Sequence, residues 1–213
     1  MIMVASMQTA LVYVEGPTDV PVISAIMSAA GWLDDEYKVI SKNGGKELDK
    51  VLRAQAHKPS PIPRIFLRDS DGNCPVITRN SILPRGSVES VVLRICDTEI
   101  ESWLLADSEA FARFFNIPLA KVELPDGKNA KERMLRCVDR FGKRNCQEFV
   151  KKAMKDGKRD AYRFGARYRT ILEQYVEQEW DAGRAALCSD SLNRALRRLR
   201  ELRERAVGGE FSS

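Results

Sequence analysis

Ala10-Leu11-Val12-Tyr13-Val14 is an unbroken apolar run rich in β-branched and aromatic side chains, the pattern of a strand buried on both faces of a parallel sheet. Glu15-Gly16-Pro17-Thr18-Asp19 ends it as a turn. From Pro17 to Gly31 the apolar residues Val20, Ile23, Ile26, Met27 and Ala30 recur at helical spacing, with Gly31 as the stop. Tyr37-Lys38-Val39-Ile40 predicts a second strand, closed by Ser41-Lys42-Asn43-Gly44-Gly45, and Lys46 to Ala56 a helix with Leu48, Val51 and Leu52 on one side. Pro59, Pro61 and Pro63 mark a loop leading into the strand Arg64-Ile65-Phe66-Leu67-Arg68, whose exit turn is Asp69-Ser70-Asp71-Gly72-Asn73. Ser87 to Ile95 predicts a further strand, and Glu99 to Phe115 a helix.

Strand and helix thus alternate, which predicts a parallel sheet flanked by helices; such sheets gather ligands at the carboxyl ends of their strands. After Pro118 the pattern becomes helical throughout: Asn129 to Phe141, Cys146 to Lys155, Gly165 to Trp180 and Ser191 to Ala206, with loops at Gly127, Gly142, Gly157 and Gly183. The division expected is an α/β catalytic domain over 1–117, a helical extension packed on it over 118–207, and a disordered tail over 208–213. No internal repeat is present in the sequence.

With 44% hydrophobic and 31% charged residues, the 213-residue chain has the composition of an ordinary globular protein. No stretch approaches the ~20 apolar residues of a membrane span. Met1 to Ala10 lacks the basic start of a secretory signal, so a cytoplasmic address is expected. Five cysteines without a CxxC pair, and His57 as the sole histidine, disfavour a disulfide framework, a zinc site and a Ser/His/Asp hydrolase. The net charge of +5 is uneven, with the last third rich in Arg and Lys. That suits a protein meeting a polyanion at one face, and equally a solvated basic surface.

The chemistry concentrates at two turns. Glu15 and Asp19 follow the first strand four residues apart, on neighbouring turns of one face if helix begins directly; Asp69 and Asp71, at i and i+2, leave another strand pointing the same way. Four carboxylates at one sheet edge repel one another unless a hard divalent cation joins them, and magnesium takes carboxylates, water and substrate phosphate. As a calcium loop Asp69–Asn73 fails, since its glycine is at the fourth place and the twelfth position is Asn80. A phosphatase aspartate pair would normally follow the first strand and lacks a recognisable lysine partner. Lys42-Asn43-Gly44-Gly45-Lys46 could admit a phosphate to the backbone or merely end a strand; without GxxxxGK[ST] it does not indicate ATP.

Glu15-Gly16-Pro17-Thr18-Asp19 after the first strand, the Gly44-Gly45 pair, and Asp69-Ser70-Asp71 after Ile65-Phe66-Leu67 resemble, in order and placement, the signatures of the TOPRIM domain of topoisomerases, primases, OLD-family nucleases and small maturation nucleases. Cys96-Asp97-Thr98-Glu99-Ile100-Glu101-Ser102-Trp103-Leu104-Leu105-Ala106-Asp107 further resembles the bacterial TOPRIM-like DUF4276 family. The resemblance implies a Rossmann-like sheet, Glu15 as general acid or base, and Asp19, Asp69 and Asp71 as ligands of Mg2+, for which Mn2+ can substitute. Glu99 and Glu101 are the candidates for a second metal of the kind expected in OLD-type nucleases, and Lys128 for neutralising charge on the phosphorane. Thr98-Glu99-Ile100-Glu101 also fits a capping box in which Glu101 only satisfies the Thr98 N–H.

In the last predicted helix Leu192, Leu196, Leu199 and Leu202 form an apolar stripe amid arginines that either track a phosphate backbone or stay solvated; Arg197 and Arg198 join Lys42 and Lys46 as candidate nucleic-acid contacts. Trp103 and Trp180 are expected to pack in the core rather than stack on bases. The function expected is Mg2+-dependent hydrolysis of DNA or RNA, in a setting of anti-phage defence that follows from kinship alone. The alternative is a weakly catalytic effector or binding subunit. Nucleic acid, an ATPase partner protein and a second copy of the chain are the partners considered, and no membrane.

Overall fold

A computed structural model describes residues 9–125, 127–143, 146–155 and 158–211. Strands β1 (Ala10–Val14), β2 (Tyr37–Ser41), β3 (Arg64–Asp69) and β4 (Val91–Cys96) form a four-stranded parallel sheet in the order β2-β1-β3-β4. Helices α1 (Val20–Ala29), α2 (Gly45–Gln55) and α3 (Pro75–Ile82) make the crossovers. The expected α/β class is borne out.

Both sheet faces are covered, which is why the strands read as continuous apolar runs. Val12, Val14, Ile65, Leu67 and Val92 face the larger core with α1, whereas Tyr13, Phe66, Val91 and Leu93 meet Leu48 and Leu52 of α2 and Ile82 of α3. The Tyr13 and Phe66 rings stack across β1 and β3 with centroids 4.6 Å apart. Helix α3 has no counterpart in the sequence pattern, because it buries only Thr78 and Ile82, too few positions to set up a helical period.

Three other boundaries depart from the expectation. Helix α1 begins at Val20 rather than Pro17, since Asp19 turns its Oδ2 back to accept the Gly16 N–H at 2.8 Å. The single helix predicted from Glu99 to Phe115 is two, α4 (Ile100–Ala106) and α5 (Ser108–Phe115). They part at Asp107, whose buried carboxylate accepts bonds from Arg184 and from the Asp181 N–H. Where helix was expected from Cys146 to Lys155, after α6 (Ala130–Phe141), there is a short α7 (Cys146–Phe149) and then β5 (Val150–Lys155), paired antiparallel with β6 (Lys158–Phe164). Antiparallel pairing with the strand that follows overrides the helical pattern there, and Gly165 permits the close approach to α7: a Cβ at that position would lie 2.1 Å from the Glu148 carbonyl oxygen. The loop expected at Gly157 lies outside the described residues.

Helices α8 (Tyr168–Gln178), α9 (Ala182–Leu187) and α10 (Asp190–Val207) complete the chain. The apolar stripe of α10, Leu192, Leu196, Leu199 and Leu202, is fully buried in the same core as β1. Trp32 Nε1 donates to the Leu199 carbonyl at 3.0 Å, and Arg203 forks onto Glu36 at 2.8 and 2.9 Å, fastening α10 to the first strand–helix unit. Of the expected disordered tail, Gly208 to Phe211 is an ordered turn with Phe211 buried beneath Arg205; Ser212 and Ser213 lie outside the described residues. Among the described residues no helix is long and apolar enough to cross a membrane.

Candidate metal centre

The parallel sheet carries the exits of β1, β3 and β4 to one rim, where the acids gather. They fall into two groups with different partners. On one side Arg68, from β3, lies over the Gly44-Gly45 turn. Its Nη1 donates to Glu15 Oε1 at 2.8 Å and Asp71 Oδ2 at 2.9 Å, and its Nε lies 3.4 Å from Asp49. The glycine pair serves this packing: a Cβ on Gly45 would lie 2.5 Å from the guanidinium carbon, and Gly44, at φ +95°, donates its N–H to the Glu15 carbonyl. Glu15 Oε1 also takes the Asp69 N–H at 2.9 Å.

On the other side Asp19, Asp69, Glu99 and Glu101 face Lys131, from the first turn of α6. Burial works against the charge of Lys131, but these four carboxylates outweigh it and raise its pKa. Glu101, 3% exposed, lies with Oε1 3.6 Å from Lys131 Nζ and accepts the Tyr168 hydroxyl at 3.3 Å, while its Oε2 has no partner. Burial pushes the Glu101 carboxyl up to about 7, with Glu99 and Asp19 adding repulsion against the pull of Lys131. Asp69 is raised well above the usual carboxylate range, by burial first and then by Glu101, Glu15 and Asp19. Burial likewise raises Glu15 and Asp19 in spite of their hydrogen bonds.

Between β1, β3, α1 and α4 lies a cavity of about 10 Å³, room for one water-sized species, whose wall joins Glu15, Asp19, Asp69 and Arg68 to apolar residues such as Ile23, Ile100 and Trp103. Among the described residues no group of three or more His, Cys, Asp or Glu converges as a ready cation cage. What the structure presents is hard oxygen donors held at raised proton affinity, Glu15, Asp19 and Asp69 on the wall of this small cavity and Glu101, with its unpartnered oxygen, coupled to Asp69. That chemistry fits a divalent cation once the carboxyl groups are charged.

The other sequence candidates are placed as follows. Glu99 leaves the cluster in part, since its Oε2 accepts the Lys131 N–H at 2.9 Å and so serves the start of α6. The capping box does not form: the Thr98 N–H goes to Ser70 Oγ at 2.8 Å, and Thr98 sits at φ +61°, costly for a β-branched residue. Lys128 rests its side-chain carbons against Gly72, beside the Asp69–Asp71 turn. Lys42 lies over the Tyr13 ring at 5.5 Å and Lys46 is exposed. Arg197 and Arg198 lie far along the chain on α10, facing the edge of β4 with Arg94. Trp103 and Trp180 are buried in the core.

Lys131 and Arg68 are the two residues that sequence reasoning missed. Lys131 lies one helical turn beyond Lys128, and the signal for it was its place in the first turn of the helix that follows the acids. Arg68 stands directly before Asp69, where a strand-terminal arginine reads as solvated.

Comparison with solved structures bears on the fold. The C-terminal region of the Burkholderia pseudomallei OLD protein aligns over 92% of this chain and 98% of its own, with TM-score 0.50 and 15% identity. The fold is similar to that of this OLD C-terminal region. The corresponding region of the Xanthomonas campestris pv. campestris OLD protein aligns over 92% of this chain and 96% of its own, with TM-score 0.46 and 14% identity. No protein-family model matches the chain. No curated protein matches it either. At such identity the OLD-like likeness concerns backbone architecture alone.

Proposed function

We propose that this chain is a metal-dependent nuclease that hydrolyses phosphodiester bonds of DNA or RNA, with Asp19, Asp69 and Glu101 as metal ligands and Glu15 as the acid or base. What carries the proposal is the meeting of Glu15, Asp19 and Asp69 at one small cavity at the strand ends, with the unpartnered Glu101 oxygen in the same field of charge. Bound Mg2+, or Mn2+ in its place, would polarise the phosphate and acidify a coordinated water. Asp69 and Asp19 present carboxylate oxygens there. Glu15, fixed through Oε1 by Arg68 and the Asp69 N–H, keeps Oε2 to take or return a proton. Lys131 steadies the excess negative charge, and Lys128, against Gly72, extends a cation toward the same rim. Asp71 and Glu99 have second partners in Arg68 and α6, and join as ligands only by leaving them.

The OLD-like fold and the order of the motifs favour the same reading. Membership of DUF4276, a cytoplasmic role in anti-phage defence and an ATPase partner go with it as proposals on kinship.

The test is cleavage of plasmid, single-stranded DNA and tRNA in Mg2+ or Mn2+ by wild type and Asp69→Asn. Loss of roughly 100-fold or more is expected, a direct ligand costing at least as much as groups that merely orient one. Activity unaffected by Asp69→Asn removes the proposal. A second reading, favoured by the hold of Arg68 on Glu15 and Asp71, is a weakly catalytic effector subunit acting with an ATPase; wild type that binds Mn2+ but cuts nothing alone would point to it.

A further inference from the structure

Beside the open edge of β4 lies a cavity of about 400 Å³, bounded by α3, the start of α10 and the loop at Pro125 and Gly127. Its lining combines the apolar Val76 and Ile95 with the basic Arg79, Arg94 and Arg194. Arg94 projects from a strand into this arginine group: burial lowers its pKa, and Arg198, Arg79, Arg194 and Arg197 lower it further. Arg194 pairs with Asp190 and Arg198 with Glu201, but no hydrogen bond or ion pair joins the side chains of Arg79 and Arg94 to another described residue. Asp97, also on the wall, is exposed. A half-buried arginine pressed among like charges is costly unless an anion is meant to join it.

The cavity is tied to the acid rim. Thr98, on its wall and 8% exposed, has a buried hydroxyl without a partner; its carbonyl accepts the Asp71 N–H at 3.0 Å, so wall and acid turn share backbone. Outward, a groove of about 290 Å³ continues along β4 past Arg79, Arg94 and Arg198, the last on the same face of α10 as Arg194.

We infer that this cavity seats one nucleotide of a single strand, its phosphate on Arg79 and Arg94 and its base against Val76 and Ile95, with the strand continuing along the β4 edge. The inference rests on the nuclease reading and narrows it, since a base still paired in a duplex cannot enter a pocket of this size. Arginine supplies the fork that phosphate takes, and the apolar part of the lining offers surface for a base.

The experiment is binding without chemistry. In EDTA, a short labelled single strand, the same sequence as a blunt duplex, and adenosine monophosphate are titrated against wild type and Arg94→Gln. The single strand is expected to bind more tightly than the duplex. Arg94→Gln should weaken it roughly tenfold or more and lower the salt slope by about one. Its melting temperature should hold or rise, because a repelled charge has gone; a merely structural arginine would lower it. Competition by the monophosphate alone, lost in Arg94→Gln, with no affinity for the strand, would mean a free-nucleotide site and overturn the strand assignment. Equal binding of duplex and single strand, or no effect of Arg94→Gln, overturns it outright. Wild type that binds the single strand in this way but cleaves nothing in Mn2+ counts against the nuclease reading only and leaves the seat standing.

Discussion

Glu101 is the residue whose behaviour is easiest to separate from its neighbours. In the metal-free fold its carboxyl keeps the proton up to about 7, against an ordinary value of 4.5. Between those values the folded state binds more protons than the unfolded one, so stability falls as pH rises through that window; Asp69 acts in the same direction. Melting temperatures in EDTA should therefore drop from mildly acidic to neutral pH, and Glu101→Gln should flatten the curve. Mn2+ binds the charged forms, so its stabilising effect should grow over the same range. Arg68 makes the opposite case, a cation that holds Glu15, Asp71 and Asp49 together. Arg68→Gln should cost about 1–3 kcal/mol in urea unfolding, less than the ~3–5 kcal/mol of breaking a fully buried pair because Asp71 is exposed. The acids themselves were legible in the sequence because they cluster in the turns that end the β1, β3 and β4 strands. Their counter-cations were not, since a lone lysine or arginine carries no pattern and only the packing of α6 and β3 shows where it ends.

Among the elements, β1, β3 and β4 could be read from apolar runs, since strands covered on both faces leave little polar alternation to confuse with helix, and the edge strand β2 from the β-branched Val39 and Ile40 before the Gly44-Gly45 turn. The hairpin β5–β6 could not, because what stabilises it is pairing between segments rather than any local period. Helix α10 was legible as an amphipathic stripe, but the surface it covers was not. Leu199 is fully buried against the first unit, and its carbonyl receives the Trp32 indole. Leu199→Ala should cost about 2–5 kcal/mol in chemical denaturation, by lost transfer energy and the cavity left behind. An equal change on the exposed face, such as Arg200→Ala, should cost far less.

Across the whole molecule, a single hydrophobic cluster runs from Ala10 on β1 to Phe211 after α10. Unfolding followed by fluorescence and by circular dichroism should give coincident transitions; a separate early loss of α8 to α10 would show that these helices form a unit of their own. The sheet order bears on how such a protein is made. Because β1 is inserted between β2 and β3, the acids at 15–19, 69–71 and 99–101 meet only after distant stretches of polypeptide have closed on one another. A chain whose last crossover has not yet docked holds these groups apart, so the acid rim is among the last features of the fold to assemble.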